Sequence, residues 1–347
     1  MRRVLLACLG LLALLPSIIA RRNGFECSVR SNTTLVPDVA AALVQYGAAS
    51  ELATGFKQPW PEVDRKGRKM RIVKYCYSEK HVRDHLDCPR FRDAFDKWRQ
   101  KLDSPAFKGT TNLYWEELSD GNPDRSKRQP RYCYDADKNW DSKNVPHDTL
   151  AIRIDRNAGK SASSTVGYDP TREKDLFGYH IMNIGPDVTT ATIAHELGHV
   201  FGMVHEHNRH DSDDYVHFEC KSLPNYSETI ALARVENKLN YADAHEKLCN
   251  DREFADRYKF GSSDFVKDPF GRIHDEPTIP FDYKSIMLYD SLLASAPACE
   301  HDLSVCVLLR YSGDPPNKQL PLERLKLNED PSDGDAKFVQ RWYPAAA

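Results

Sequence analysis

The chain has 347 residues, enough for one substantial core or two modest ones, and its formal charge is −3, with 48 Lys and Arg against 51 Asp and Glu. So balanced a composition lacks the electrostatic footprint of a nucleic-acid binder. With 40% hydrophobic residues and a mean hydropathy of −0.62, only the extreme N-terminus could span a bilayer, which excludes a multispanning transporter and leaves no stable membrane association to expect.

Residues 1–20, MRRVLLACLGLLALLPSIIA, combine a basic start, an apolar run broken by Pro16 and small residues at the end, the pattern of a secretory signal peptide. An uncleaved signal anchor is the rival reading, since Arg21 and Arg22 follow the apolar run. Removing the signal also removes Cys8 and leaves Cys27, Cys76, Cys88, Cys133, Cys220, Cys249, Cys299 and Cys306. An even number of cysteines on a secreted, extracellular chain, none in a CxxC pair, points to disulfides rather than zinc ligands. Their connectivity stays open, with Cys76–Cys88 and Cys299–Cys306 close enough in sequence to close small loops. Asn32-Thr33-Thr34 and Asn225-Tyr226-Ser227 are sequons compatible with the same pathway.

Residues 21–66 read as a leader or propeptide-like segment: a short helix over Pro37 to Leu52, then a stretch rich in Pro and charge, with a basic run from Asp64 to Lys69 as a possible processing site. Residues 67–347 read as the main folded domain. Met70 to Tyr77 alternates like a half-buried strand, and Ser78 caps a helix predicted to run to about Leu102. Gly109 to Trp140 is polar and breaks periodicity. Thr149 to Asp155 and His180 to Ile184 read as strands, with Ser163 to Asp169 a possible edge strand between them. Thr189 and Thr190 are helix caps before Ala191 to Met203, whose apolar residues fall on helical spacing. The remaining half is predicted to be mostly irregular, apart from helical spacing at Ile230, Leu232, Val235 and Leu239. The fold class is therefore α+β.

The chemistry sits on the helix after Thr189. His195-Glu196-Leu197-Gly198-His199 is HExxH, and four helical residues advance about 400°, so both imidazoles share one face and can converge on one ion. Glu196 is offset toward the position of an attacking water, close to the metal without ligating it. Gly202 follows where a helix ends in a left-handed conformation, and His205 comes three residues later, where the turn returns it to the metal. HELGHVFGMVHEHNRHD thus completes HExxHxxGxxH, the metzincin pattern, with His195, His199 and His205 as ligands of one Zn2+. That pattern also calls for a Met-turn, and Met287 in Tyr283 to Tyr289 supplies it about eighty residues downstream.

HEHNRHD after Val204 and SIMLY at Ser285 to Tyr289 resemble the signatures of the astacin family of zinc endopeptidases, and the resemblance spans roughly Trp60 to Pro344. It implies a two-lobed metzincin fold, with a mixed sheet in the N-terminal lobe and a largely irregular C-terminal lobe. It further implies that peptide substrates lie extended on an edge strand, that Tyr289 is a further zinc ligand able to stabilise the oxyanion, and that Glu206 corresponds to the glutamate that pairs with the mature N-terminus. Arg209 and Asp211 read as a structural ion pair. Leu288 stands where the family usually has His, and Ser212 where Arg is common, so substrate preferences need not transfer. Neither an aspartate switch nor a cysteine switch is visible in residues 21–66. Glu219 to Cys249 looks inserted, with a cysteine near each end.

The expected function is a secreted zinc endopeptidase acting on proteins or peptides through a zinc-activated water, with Glu196 as general base. The alternative is a secreted astacin-like protein that binds peptides without turning them over.

Overall fold

The computed structural model describes residues 58–86, 89–170, 178–267 and 280–345. The signal, the helix at Pro37 to Leu52, the first sequon, Cys27 and Cys88 lie outside the described residues.

The first layer is a mixed sheet. Strands β1 (Glu62–Arg65), β2 (Arg68–Tyr77), β4 (Thr149–Ile154), β6 (Ile181–Ile184) and β5 (Ala162–Ser164) lie side by side in that order, while β3 (Leu113–Glu117) pairs with β2 off this path. The β2–β3, β2–β4 and β4–β6 pairings are parallel, whereas β1–β2 and β5–β6 are antiparallel, so β5 is an antiparallel edge. Helices α1 (Lys80–Leu86) and α2 (Pro89–Leu102) follow β2, and α3 (Thr190–Val200) follows β6. The single helix expected from Ser78 to Leu102 is thus two, with α2 opening on Pro89, a residue suited to a first helical position but not to an interior one.

Three further differences have physical causes. β3 arises inside the polar stretch because Leu113 is buried in the first core and Trp115 packs against it, while Arg65 pairs with Glu116 and the Arg83 guanidinium donates to both oxygens of Glu117. The edge strand is shorter than Ser163 to Asp169, since after Ser164 the chain turns to place the Gly167 amide on the His199 carbonyl. The basic run from Asp64 to Lys69 is the β1–β2 hairpin, turning at Lys66 and Gly67, both at positive φ, and Trp60 just before it is buried in the core.

The second half contains α4 (Tyr226–Asn237), α5 (Tyr241–Asn250), α6 (Arg252–Arg257), an antiparallel sheet of β7 (Val216–Phe218), β8 (Leu308–Tyr311) and β9 (Leu322–Arg324), and α7 (Asp333–Trp342). Only part of the helical spacing near residue 230 faces inward. Tyr226, Ile230 and Ala233 are buried on α4, but Leu232 and Val235 are 50% and 78% exposed. Disulfides join Cys76 to Cys133, Cys220 to Cys249 and Cys299 to Cys306. Cys76 therefore bridges β2 to the loop after β3, not to nearby Cys88, and Cys220–Cys249 closes the inserted segment on itself.

Among the described residues two large hydrophobic cores form, with two small clusters around the Cys76–Cys133 and Cys299–Cys306 bridges. One gathers the sheet, α2, α3, Met287 and the inner face of α7; the other gathers the inserted helices, β7, β8, Leu288 and Tyr289. Gly198 shows how tightly the first is packed: a Cβ there would lie 2.4 Å from the Met287 Sδ and 3.4 Å from the Trp98 ring. Alanine should favour the helix by about 1 kcal/mol, but displacing the buried Met287 sulfur costs about 1–3 kcal/mol. Gly198→Ala is therefore expected to lower the denaturant midpoint, and a midpoint at or above wild type would contradict this packing. No helix among the described residues is long and apolar enough to cross a membrane.

Candidate active site

α3 starts where predicted. The Thr189 hydroxyl accepts the Thr192 amide at 3.1 Å, satisfying one of the four free N–H groups of a helix start. At the other end Gly202 sits at φ +104°, and the last carbonyls find aromatic donors: Trp60 Nε1 donates to Val200 O at 2.7 Å and the Tyr343 hydroxyl to Phe201 O at 2.9 Å. Earlier on the helix, Trp98 Nε1 donates to Ala194 O at 2.8 Å. Residues from three distant parts of the chain thus fix the helix that carries HExxH.

His195, His199 and His205 are brought together as their spacing requires. His205 Nε2 lies 3.2 Å from His195 Nε2 and 3.1 Å from His199 Nε2. His195 Nδ1 donates to the Ile286 carbonyl and His199 Nδ1 to the Met203 carbonyl, each at 2.8 Å. Those bonds fix the tautomers, leaving the Nε2 lone pairs of both rings facing inward. Burial pushes the His195 pKa down to about 4 and that of His205 well below its ordinary value, so both rings are neutral at physiological pH. Neutral nitrogens converging at this separation repel one another unless a cation lies between them, and nitrogen ligands of tetrahedral zinc are spaced on this scale. The group fits zinc, which is the cofactor.

Glu196 is 1% exposed on the same helix. Burial pushes its carboxyl up to about 7, opposed by a hydrogen bond from Ser164, whose hydroxyl donates to Oε2 at 2.7 Å. Met287 is fully buried beneath the helix at Gly198. Two residues on, the Tyr289 ring lies 4.3 Å from His205 and 4.4 Å from His207, centroid to centroid. The turn carrying Met287 therefore delivers Met287 to one core and Tyr289 to the histidine cluster.

Glu206 and Arg209 are buried. Glu206 Oε1 accepts the Asp282 amide at 2.8 Å and Arg209 Nη1 at 3.2 Å, while Arg209 holds Asp211 through two bonds of 2.8 Å. Burial pushes the Glu206 carboxyl up, and Arg209 and the Asp282 amide pull it back. Arg209 and Asp211 form the ion pair expected of them, and Glu206 ties the segment after His205 to the chain at Asp282.

Several supporting residues have no motif in the sequence to announce them. Asp335 on α7 accepts the Ser285 hydroxyl, the Ile286 amide and the Ser332 amide, and so braces the segment whose Ile286 carbonyl holds His195. His207 stacks on His205, and its Nε2 donates to the Asp264 carbonyl, which also accepts from Asn208. The Asp264 carboxyl is buried and, among the described residues, neither oxygen has a hydrogen-bond partner. Burial, with Asp256 adding to it and Arg252 opposing it, raises its pKa to about 7.

A carboxyl with a raised native pKa binds its proton more tightly folded than unfolded. Its stabilising contribution is complete below the unfolded value near 4 and is lost as pH rises toward about 7. Asp264→Asn should therefore flatten the stability profile between those limits by roughly 1 kcal/mol per pH unit. Urea unfolding across that range checks this, and an unchanged slope would remove Asp264 as its source.

Residues 139–244, which hold the HExxH helix and the third histidine, match the family model of the astacin peptidases. The chain is astacin-like. Solved structures similar to it include the following two. High choriolytic enzyme 1, a hatching enzyme zinc-protease from Oryzias latipes (medaka fish), has 14% identity and a TM-score of 0.41 over 83% of this chain and 98% of its own. Myroilysin has 14% identity and a TM-score of 0.39 over 84% and 97%. No curated protein matches the sequence. The family match ends inside α5, so most of the disulfide-closed insert falls within it, and the Met-turn and α7 fall beyond it.

Proposed function

We propose that this astacin-like chain is a secreted zinc endopeptidase that hydrolyses peptide bonds in proteins or peptides. The observation that carries the reading is the convergence of the three imidazole Nε2 atoms of His195, His199 and His205 beside the buried carboxyl of Glu196, which follows His195 on the same helix. His195, His199 and His205 hold the metal, and Tyr289, packed on His205, is the further ligand. Zinc there supplies Lewis acidity toward the scissile carbonyl and the attacking water.

The other steps belong to side chains of this chain. Glu196 takes the proton of the attacking water and passes it to the nitrogen of the leaving amine, a carboxyl suited to both halves of the transfer. The Tyr289 hydroxyl donates to the carbonyl oxygen as negative charge builds there. β5, an antiparallel edge that among the described residues pairs only with β6, offers backbone groups to an extended peptide. Residues 1–20 act as the signal peptide and a leader follows, with Trp60 and β1 belonging to the folded unit.

The test is cleavage of gelatin or casein by the purified secreted protein, with and without a zinc chelator. Chelator-sensitive cleavage restored by zinc is expected. A folded, zinc-loaded sample with its leader removed that cleaves neither would overturn the reading and favour a peptide-holding role.

A further inference from the structure

The catalytic carboxylate of a zinc hydrolase must present one oxygen to its water repeatedly, yet a glutamate side chain has three rotatable bonds with which to wander. Most of Glu196 is confined by burial alone. Among the described residues its carboxylate has one specific partner, the Ser164 hydroxyl, 2.7 Å from Oε2 and 3.0 Å from the Glu196 carbonyl. A hydroxyl has one proton to give, and a carboxylate oxygen at the shorter distance is the stronger acceptor.

Ser164 is itself held rigidly. It is 3% exposed and ends β5, paired in register with Met182 of β6. On its far side the Thr165 amide donates to the Ile181 carbonyl at 2.9 Å, the Thr165 hydroxyl accepts the Ile181 amide at 3.1 Å, and the Gly167 amide donates to His199 O at 2.8 Å. The chain is therefore pinned to the sheet before the serine and to the metal-site helix after it. Alternation along the strand turns Ser164 inward while Ser163 is only partly buried.

We infer that Ser164 is a positioning residue for peptide hydrolysis: by donating to Oε2 it fixes the Glu196 carboxylate and leaves Oε1 as the oxygen that moves the proton. Because β5 is also the edge on which a peptide would lie, one strand then sets both the path of the substrate and the aim of the base. This rests on the proposed endopeptidase reading.

The test uses the full-length secreted protein with Ser164→Ala, Ser164→Thr and Glu196→Gln, measuring bound zinc, thermal midpoint, and kcat and KM separately on a quenched-fluorescence peptide. Ser164→Ala is expected to keep one zinc per chain and a wild-type midpoint, with KM within about twofold and kcat about tenfold lower, equivalent to about 1.4 kcal/mol. Ser164→Thr, which keeps the hydroxyl, should recover kcat to within about threefold. If alanine does not fold, Ser164→Cys takes its place, keeping the volume with a weak donor.

Wild-type kcat in Ser164→Ala would overturn the inference. So would a loss accompanied by lost zinc or a lowered midpoint, or one that threonine does not repair. Glu196→Gln separates the two claims: if it is inactive while Ser164→Ala is unaffected, only the positioning role falls, whereas an active Glu196→Gln removes the endopeptidase mechanism beneath it.

Discussion

Glu196→Gln is expected to lower kcat/KM by at least about a thousandfold while leaving zinc bound. A positioned acid–base group contributes about 10²–10⁴-fold, and here one group serves both the attack and the departure of the amine. Glutamine preserves shape, and its carbonyl can still accept from Ser164, so the helix and its three histidines should stand. Glutamine also removes a carboxylate that burial disfavours, so the thermal midpoint should hold or rise. Assay of peptide cleavage beside zinc content decides the matter, since activity within tenfold of wild type would take Glu196 out of proton transfer.

Asp335→Ala is the substitution expected to do most damage to the fold. It strands three buried donors at once: the Ser285 hydroxyl at 2.6 Å, the Ile286 amide at 2.9 Å and the Ser332 amide at 2.8 Å. The last belongs to a reciprocal cap, since the Ser332 hydroxyl accepts the Asp335 amide at 2.9 Å. Each buried group left without a partner costs about 1–3 kcal/mol, and partial relaxation brings the whole to about 3–5 kcal/mol. The damage should extend to the metal, because Ile286 carries the carbonyl that orients His195, and loss of such an outer partner typically weakens metal binding about 10–100-fold. Equilibrium unfolding and zinc titration measure the two effects. Destabilisation under about 1 kcal/mol would show that Asp335 does not anchor the segment.

The three-histidine group is legible in the sequence because the helix makes it local. His195 and His199 are one turn apart, Gly202 ends the helix, and His205 is three residues further, so backbone geometry alone predicts their meeting. Tyr289 and Met287 are reached through family patterns rather than through local spacing. Ser164 and Asp335 cannot be read in either way. Ser164 reaches Glu196 across 32 residues and Asp335 reaches Ser285 across 50, and a serine or aspartate carries no sign of which distant donor or acceptor it will meet.

The same limit explains where the fold departs from expectation. β3 has a weak periodic signal because it is only five residues long, with Leu113 and Trp115 alone turned to the core inside a polar stretch. On α4 the inward positions are Tyr226, Ile230 and Ala233, a spacing obscured by the larger apolar residues Leu232 and Val235 on the exposed side. Sequence proximity makes Cys88 a candidate partner for Cys76, whereas the sheet brings Cys133 to it across 57 residues. Pro89 is a breaker visible in the sequence, and a second helix does open there.

The route of the chain through the first core has a consequence for the order in which the protein can fold. Phe338, Val339 and Tyr343 are buried with Trp60, Trp98 and Leu113, and the Asn112 amide donates to the Tyr343 carbonyl at 2.8 Å. A ribosome that has delivered the entire metal-binding motif has therefore not yet delivered one wall of the core beneath it. Until residues 333–345 emerge, that apolar surface stays open to water and to other nascent chains, and the parallel pairings of the sheet close slowly in any case. Competence to retain zinc should consequently arise only once residues 333–345 have left the exit tunnel, rather than when the histidines first do.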